Sequence, residues 1–373
     1  MTAQVRVAGR RPDLRRVPVI VPPARASRPA WLLGLFAALA LTVPVWLPWL
    51  DPRLDLWQVD DAKNHMIRLY HLIWLIGRGV WHPRWMPDMF MGYGYPVLNF
   101  YAPASYYVAW LLGRLLHLDI WDAFRASGVV AALLGAAGVY TLTVALWRRA
   151  ALGVLAAVTL LYGPYVFQLN LFKRGDIAEA MALGLIPWLL LALARLWLAD
   201  APGRVLAWMV ATVSAGTAVI LTHNLTALLA APMATVWVGY LLVVRPAWRS
   251  LARVALAGAL AIGLSAFFWL PAIGEGRLVQ LEALWGTGGL DYRSWLVEPS
   301  GQSPRQQLPY NRQTRAGLID LHLHYPHQLV APPKVSLAQA GFALLTVLSL
   351  MAGIWWGADL TPWPPSRRGK GER

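Results

Sequence analysis

WLLGLFAALALTVPVWLPWL, residues 31–50, runs for twenty residues without an ionisable side chain, and its reading decides the fold class. As a helix, about 20 such residues cross roughly 30 Å of hydrocarbon. A helix is the form expected there, because lipid offers nothing to backbone N–H and C=O groups and each segment must satisfy its own. Outward from this run, comparable apolar stretches recur at 126–147, 150–168, 178–198, 205–222, 225–244, 252–272 and 336–357. The chain therefore reads as an all-α polytopic membrane bundle of about 8 transmembrane helices. Composition agrees: with 58% hydrophobic and only 14% charged residues over 373 positions, it is too apolar for a soluble domain.

The formal net charge of +15 does not point to nucleic acid, because the basic residues sit in short clusters beside apolar spans rather than along one amphipathic surface. Arg148-Arg149, Arg195 with Arg204, Arg245 with Arg249 and Arg253, and Arg367-Arg368-Lys370 all fall on the side of the arginine-rich, proline-broken tail 1–29. By the positive-inside rule that side is cytoplasmic, which predicts a cytoplasmic N-terminus. No small-x-small cleavage site precedes Asp51, so 31–50 reads as a retained span, not a signal peptide. Tyr101 to Leu118 is apolar too, but counting it as a span would move every later arginine cluster outside. It is expected to lie on the outer face, with Arg114 and His117 toward water, and 63–78 to form a second interfacial helix. The expected organisation is a transmembrane core at 30–272 containing the outer loop 51–125, an outer loop at 273–335, a last span at 336–357 and a basic cytoplasmic tail at 358–373. No cysteine is present, so disulfides and thiolate metal sites are excluded.

Ionisable residues beside a bilayer are costly, and here they gather on the outer side, in the loops 51–125, 169–177, around His223-Asn224, and 273–335. Asp60 and Asp61 come first. Neighbouring carboxylates can hold a divalent cation such as magnesium or manganese, or act as a general base; an Asp just before a helix can equally be an N-cap. His65 would share a helix face with Asp61, and Arg68 follows one turn on, so that carboxylate, imidazole and guanidinium could surround one anionic group; a merely solvated polar face fits the same spacing. In Lys173-Arg174-Gly175-Asp176-Ile177-Ala178-Glu179, Arg174 could clamp a phosphate, while Asp176 and Glu179 would also make an ordinary acidic first turn. His223 and Asn224 form a tight interhelical turn, which needs polarity for structure alone. The aromatic run Trp81 to Tyr107, with Arg84 and Tyr101 as its contact candidates, offers a stacking surface for a sugar ring or an interfacial aromatic belt. Glu275 and Glu282 are further acids, and His322, His324 and His327 raise a zinc reading that lacks any supporting motif.

An acidic first outer loop, interfacial helices before the second span, and a charged motif after the third together resemble the GT-C glycosyltransferases. More closely, Asp60-Asp61-Ala62-Lys63-Asn64-His65, Arg84-Trp85-Met86-Pro87, Gly92-Tyr93-Gly94-Tyr95-Pro96, Asn99-Phe100-Tyr101-Ala102-Pro103 and Arg174-Gly175-Asp176-Ile177-Ala178-Glu179-Ala180 resemble a bacterial membrane family labelled 6-pyruvoyl-tetrahydropterin synthase-related, itself similar to YfhO-like membrane proteins. These residues suggest no pterin chemistry. The likeness covers roughly 30–335. It implies a bacterial cytoplasmic (inner) membrane protein that transfers sugar from a polyprenyl-phosphate donor to an envelope or lipid acceptor. Asp60 or Asp61 would be the base or metal ligand, and Arg174, with Arg68, the contact to the lipid phosphate. The alternatives are a transporter or flippase of lipid-linked material, and a non-catalytic protein of envelope assembly. A route across the membrane would need polar residues at mid-depth, and the mild Thr141, Thr143, Thr212, Ser214, Thr217 and Ser265 favour an outer-face site instead.

Overall fold

A computed structural model of the chain describes residues 28–279. The spans expected at 336–357, the histidines at 322, 324 and 327, Glu282 and both tails lie outside the described residues. Within them the protein is helical, with a single isolated antiparallel bridge, Met86 to Tyr95, and no strand. The chain is a multi-pass helical membrane protein: α1 (Arg28–Trp46), continued by a short 3-10 turn through Leu50, is followed later by α5 (Ile120–Trp147), α7 (Ile177–Leu198), α8 (Pro202–Thr222) and α9 (Asn224–Val244), all long and apolar enough to cross a membrane.

Two expected spans have a different form. The segment 150–168 is not one straight helix: α6 (Ala150–Tyr162) has 13 residues and rises only about 20 Å. Gly163 and Pro164 then interrupt the ladder, since proline has no N–H to give, and a π-helix, Pro164–Arg174, carries the chain to the next span. The segment 252–272 is broken at Ser265 into α10 (Trp248–Leu264) and α11 (Ala266–Gly274), inclined at 66° to each other. The segments expected to be interfacial form short helices. In the first loop α2 (Ala62–Ile76) and α4 (Ala104–Leu116), flanking the single turn α3 (Val97–Phe100), are too short to span, and Arg114 and His117 are exposed.

Small residues set the packing around α7, of which 72% of the span is buried against 17–22% for α1, α8 and α9. A Cβ on Gly184 would lie 2.8 Å from the Ala131 carbonyl oxygen of α5, so glycine lets these two backbones approach closely. Trp188 donates to the Leu134 carbonyl at 2.9 Å beside Gly138, and Tyr140 donates to the Trp31 carbonyl at 2.8 Å between α5 and α1. At one end the basic turns lean on one another: Arg253 donates to the Ala199 carbonyl and Trp197 to that of Arg245. The opposite end receives the first loop, the π-helix, the start of α7 and the α8–α9 turn.

Candidate functional site

At this second end, two segments more than a hundred residues apart are joined by backbone. The N–H of Asp60 donates to the Lys173 carbonyl at 3.2 Å and that of Asp61 to the Arg174 carbonyl at 2.6 Å. The approach depends on Gly175, whose φ of +68° is left-handed and whose missing Cβ would sit 2.4 Å from that of Ala62. The join brings the acidic pair against the second charged motif.

Arg174 is the hub. Its Nε donates to Asp61 at 3.3 Å, one terminal nitrogen donates to Asp176 at 3.0 Å, and the other donates to Glu179 and to Asn170 Oδ1 at 3.0 Å. Tyr165 donates to the remaining Glu179 oxygen at 2.6 Å. The π-helix supplies Tyr165, Asn170 and Arg174 together. Asp61 occupies the N-cap position of α2, but its carboxylate makes no capping bond and is turned to Arg174 instead. Asp176 does both jobs: Oδ1 caps α7 through the Glu179 N–H at 2.9 Å, and Oδ2 takes Arg174.

Two imidazoles face Asp176, His65 Nε2 at 3.5 Å and His223 Nε2 at 3.9 Å. Arg68 donates to the Tyr106 hydroxyl at 3.2 Å, and that hydroxyl lies 2.7 Å from His65 Nδ1. Tyr101 underlies the group, its ring beneath the Arg68 guanidinium at 4.4 Å and against both histidine rings. Tyr106, Asn170 and Tyr165 had no signal in the sequence, because a tyrosine or asparagine in an apolar stretch reads as belt or packing.

Burial lowers the His65 pKa from 6.5 to about 3, the Arg68 charge acting in the same direction and that of Asp61 opposing it. The folded ring is thus neutral, while the unfolded ring binds a proton below about 6.5. Between those values the unfolded chain holds the extra proton, so His65 favours folding fully above 6.5 and progressively less as pH falls toward 3. Thermal unfolding in detergent should therefore weaken from about pH 7 to about pH 4.5, and less steeply in His65→Gln. Burial also lowers His71 and His82, which leaves some slope in the variant. Equal slopes in the two proteins would disprove the assignment.

The other sequence candidates are placed apart from Arg174. The Asp60 side chain is exposed, and the protein around it raises its pKa by desolvation, with Lys173 opposing and Asp61 reinforcing. Asn224 is a clasp, accepting from the Ala102 N–H at 2.9 Å and donating to the Phe100 carbonyl at 2.8 Å. Arg84 forms a separate ring with Asn99 and Glu275: Arg84 donates to Asn99 at 2.8 Å and to Glu275 at 2.6 Å, and Asn99 donates to Glu275 at 2.7 Å. The bond from Arg84 holds the Glu275 carboxyl below its ordinary range.

Asp176, Glu179 and His223 each present a ligand atom within 4.8 Å of the others, a grouping that includes neither Asp60 nor Asp61. Its chemistry suits an arginine better than a metal ion. Both carboxylates already receive Arg174, and His223 Nδ1 accepts the Thr226 N–H at 3.3 Å, which leaves the proton on the nitrogen facing Asp176.

A multi-pass bundle with a charged, histidine-flanked cluster at one end defines a class of membrane protein. The chain belongs to the 6-pyruvoyl-tetrahydropterin synthase related domain family of membrane proteins, whose model matches residues 98–284, about half of it. That stretch includes Arg174, Asp176, Glu179 and His223, and begins after Asp60 and Asp61. No curated protein and no solved structure matches the chain.

Proposed function

We propose that this protein is a GT-C-like glycosyltransferase of the bacterial inner membrane, moving a sugar from a polyprenyl-phosphate donor to the hydroxyl of an envelope or lipid acceptor. The observation that carries this reading is the union of Asp61 with Arg174, Asp176 and Glu179 in one cluster at one end of the bundle. Asp61 is the base. Its side chain is 40% exposed, Oδ2 takes Arg174, and Oδ1 receives no hydrogen bond from the described residues. As the acceptor oxygen attacks the anomeric carbon, the bond from that carbon to the phosphate oxygen breaks, the phosphate leaves with the electron pair, and the acceptor proton passes to Asp61. Arg174 holds the Asp61 carboxylate in place until the proton arrives.

Transfer of radiolabelled sugar from a panel of polyprenyl-phosphate donors, with the protein in proteoliposomes, tests this. Asp61→Asn should cut turnover by about 10²- to 10⁴-fold, the range of a lost general base, and Asp60→Asn by less than about tenfold. A folded wild type inert toward every donor, or an Asp61→Asn variant as active as wild type, would sink the proposal.

A further inference from the structure

The cations of the site differ in how they are matched. Arg174 is spent on three carboxylates. Arg68 has no carboxylate within 4.0 Å among the described residues. It lies over the Tyr101 ring and gives one bond to the Tyr106 hydroxyl. A guanidinium has five N–H donors, so most of its capacity is unused. Asp176 acts on it only from a distance, so the guanidinium keeps donors free for an anion in direct contact.

The surroundings of Arg68 say what kind of anion. It lines a cavity of about 200 Å³ with Asn64, Ile67, Met89, Phe90, Tyr95 and Val97. Its lining thus joins a cation and an amide to the apolar side chains of Ile67, Met89, Phe90 and Val97 and the ring of Tyr95. The far wall belongs to the hairpin closed by Met86 and Tyr95, which exchange both backbone bonds at 2.9 and 3.0 Å. Beyond the cavity the hairpin tip stays apolar: Phe90 is 60%, Met91 95% and Tyr93 84% exposed. Phe90 and Met91 hold left-handed φ of 53° and 59°, a conformation costly for such side chains. A free inorganic anion would gain nothing from this wall, whereas an anion on a long hydrocarbon would bury its first carbons in the cavity and extend along the tip.

We infer that Arg68 is the phosphate contact and that the cavity beneath the 86–95 hairpin seats the phosphate and first carbons of a polyprenyl phosphate ester. The inference deepens the transferase proposal and rests on its donor class. From Arg68, Tyr106 is hydrogen-bonded to His65, whose Nε2 lies 3.5 Å from Asp176, so a phosphate here would lie close to the Arg174 cluster.

The test is binding, measured by native mass spectrometry on the full chain in nanodiscs of neutral lipid, with three probes: a polyprenyl phosphate, the corresponding polyprenol and inorganic phosphate. Wild type should hold the polyprenyl phosphate roughly tenfold tighter than the polyprenol, the difference made by charge-assisted bonds. Arg68→Gln should erase that preference without changing polyprenol binding, Arg68→Lys should keep part of it, and Phe90→Ser, at the exposed tip, should weaken both lipids. Preference for the phosphate that survives Arg68→Gln, or polyprenol bound as tightly as its phosphate, overturns the inference. Inorganic phosphate competing as well as the lipid overturns the lipid part and leaves a free-anion site. Arg68-dependent binding without turnover of any donor would sustain this site and defeat the transferase proposal; turnover in a protein whose Arg68→Gln variant binds normally would do the reverse.

Discussion

Arg174→Ala is expected to cost the protein about 3 kcal/mol or more of stability, the usual result of removing one partner from buried ion pairs. The Asp176 side chain is only 3% and that of Glu179 only 11% exposed, so without Arg174 two carboxylates would face each other with little water to separate them. Asp61, at 40% exposure, adds less, because solvent already screens it. Lysine is no equivalent: a single ammonium cannot meet Asp61, Asp176, Glu179 and Asn170 in one plane, so Arg174→Lys should fall between wild type and alanine. Thermal unfolding of the intact chain in detergent reads the effect. An alanine variant with the unfolding temperature of wild type would mean that Arg174 does not hold these carboxylates together.

Gly175→Ala should be nearly as damaging with no change of charge. The left-handed backbone at φ +68° alone costs an alanine about 1–2 kcal/mol. The added methyl would also meet Ala62 Cβ at 2.4 Å and Val59 Cγ1 at 2.9 Å, overpacking of the kind that costs about 1–3 kcal/mol. The segment 59–62 would have to move away, lengthening the bonds from Asp60 and Asp61 to the Lys173 and Arg174 carbonyls. Hydrogen exchange at those two amides should rise sharply. Introducing Ala62→Gly beside it should relieve the worst contact but leave those with Val59 and the Ala62 backbone and the φ share, so the double variant lies between wild type and Gly175→Ala. Unchanged exchange in Gly175→Ala would show that the two segments are not held by this contact.

The membrane bundle was legible because it rests on length and apolarity alone, properties a sequence displays directly. The acids and bases of the cluster were legible for the complementary reason: Asp61, Arg174, Asp176 and His223 are costly residues in an apolar chain. Their pairing was not. Arg174 was expected to hold phosphate, since nothing in the one-dimensional chain says that Asp61 lies beside it, and the contact spans 113 positions. The ring of Arg84, Asn99 and Glu275 was hidden likewise. The break at Ser265 was missed because it lies inside a run whose hydropathy is uninterrupted, and the π-helix because its polar second half reads as a loop; hydropathy carries no record of the hydrogen-bond ladder.

The two backbone bonds between the first loop and the end of the π-helix also impose a timetable. A chain made from its N-terminus carries Asp60 and Asp61 while their partners, Lys173 and Arg174, are still more than a hundred residues from being synthesised. Contacts so distant in sequence form late, after the loop between them has been closed at an entropic cost. Until α7 is threaded, the acids have only water for company; Glu275 then fastens the same loop from 191 positions beyond Arg84. The charged cluster is therefore assembled only when most of the bundle is already in the bilayer.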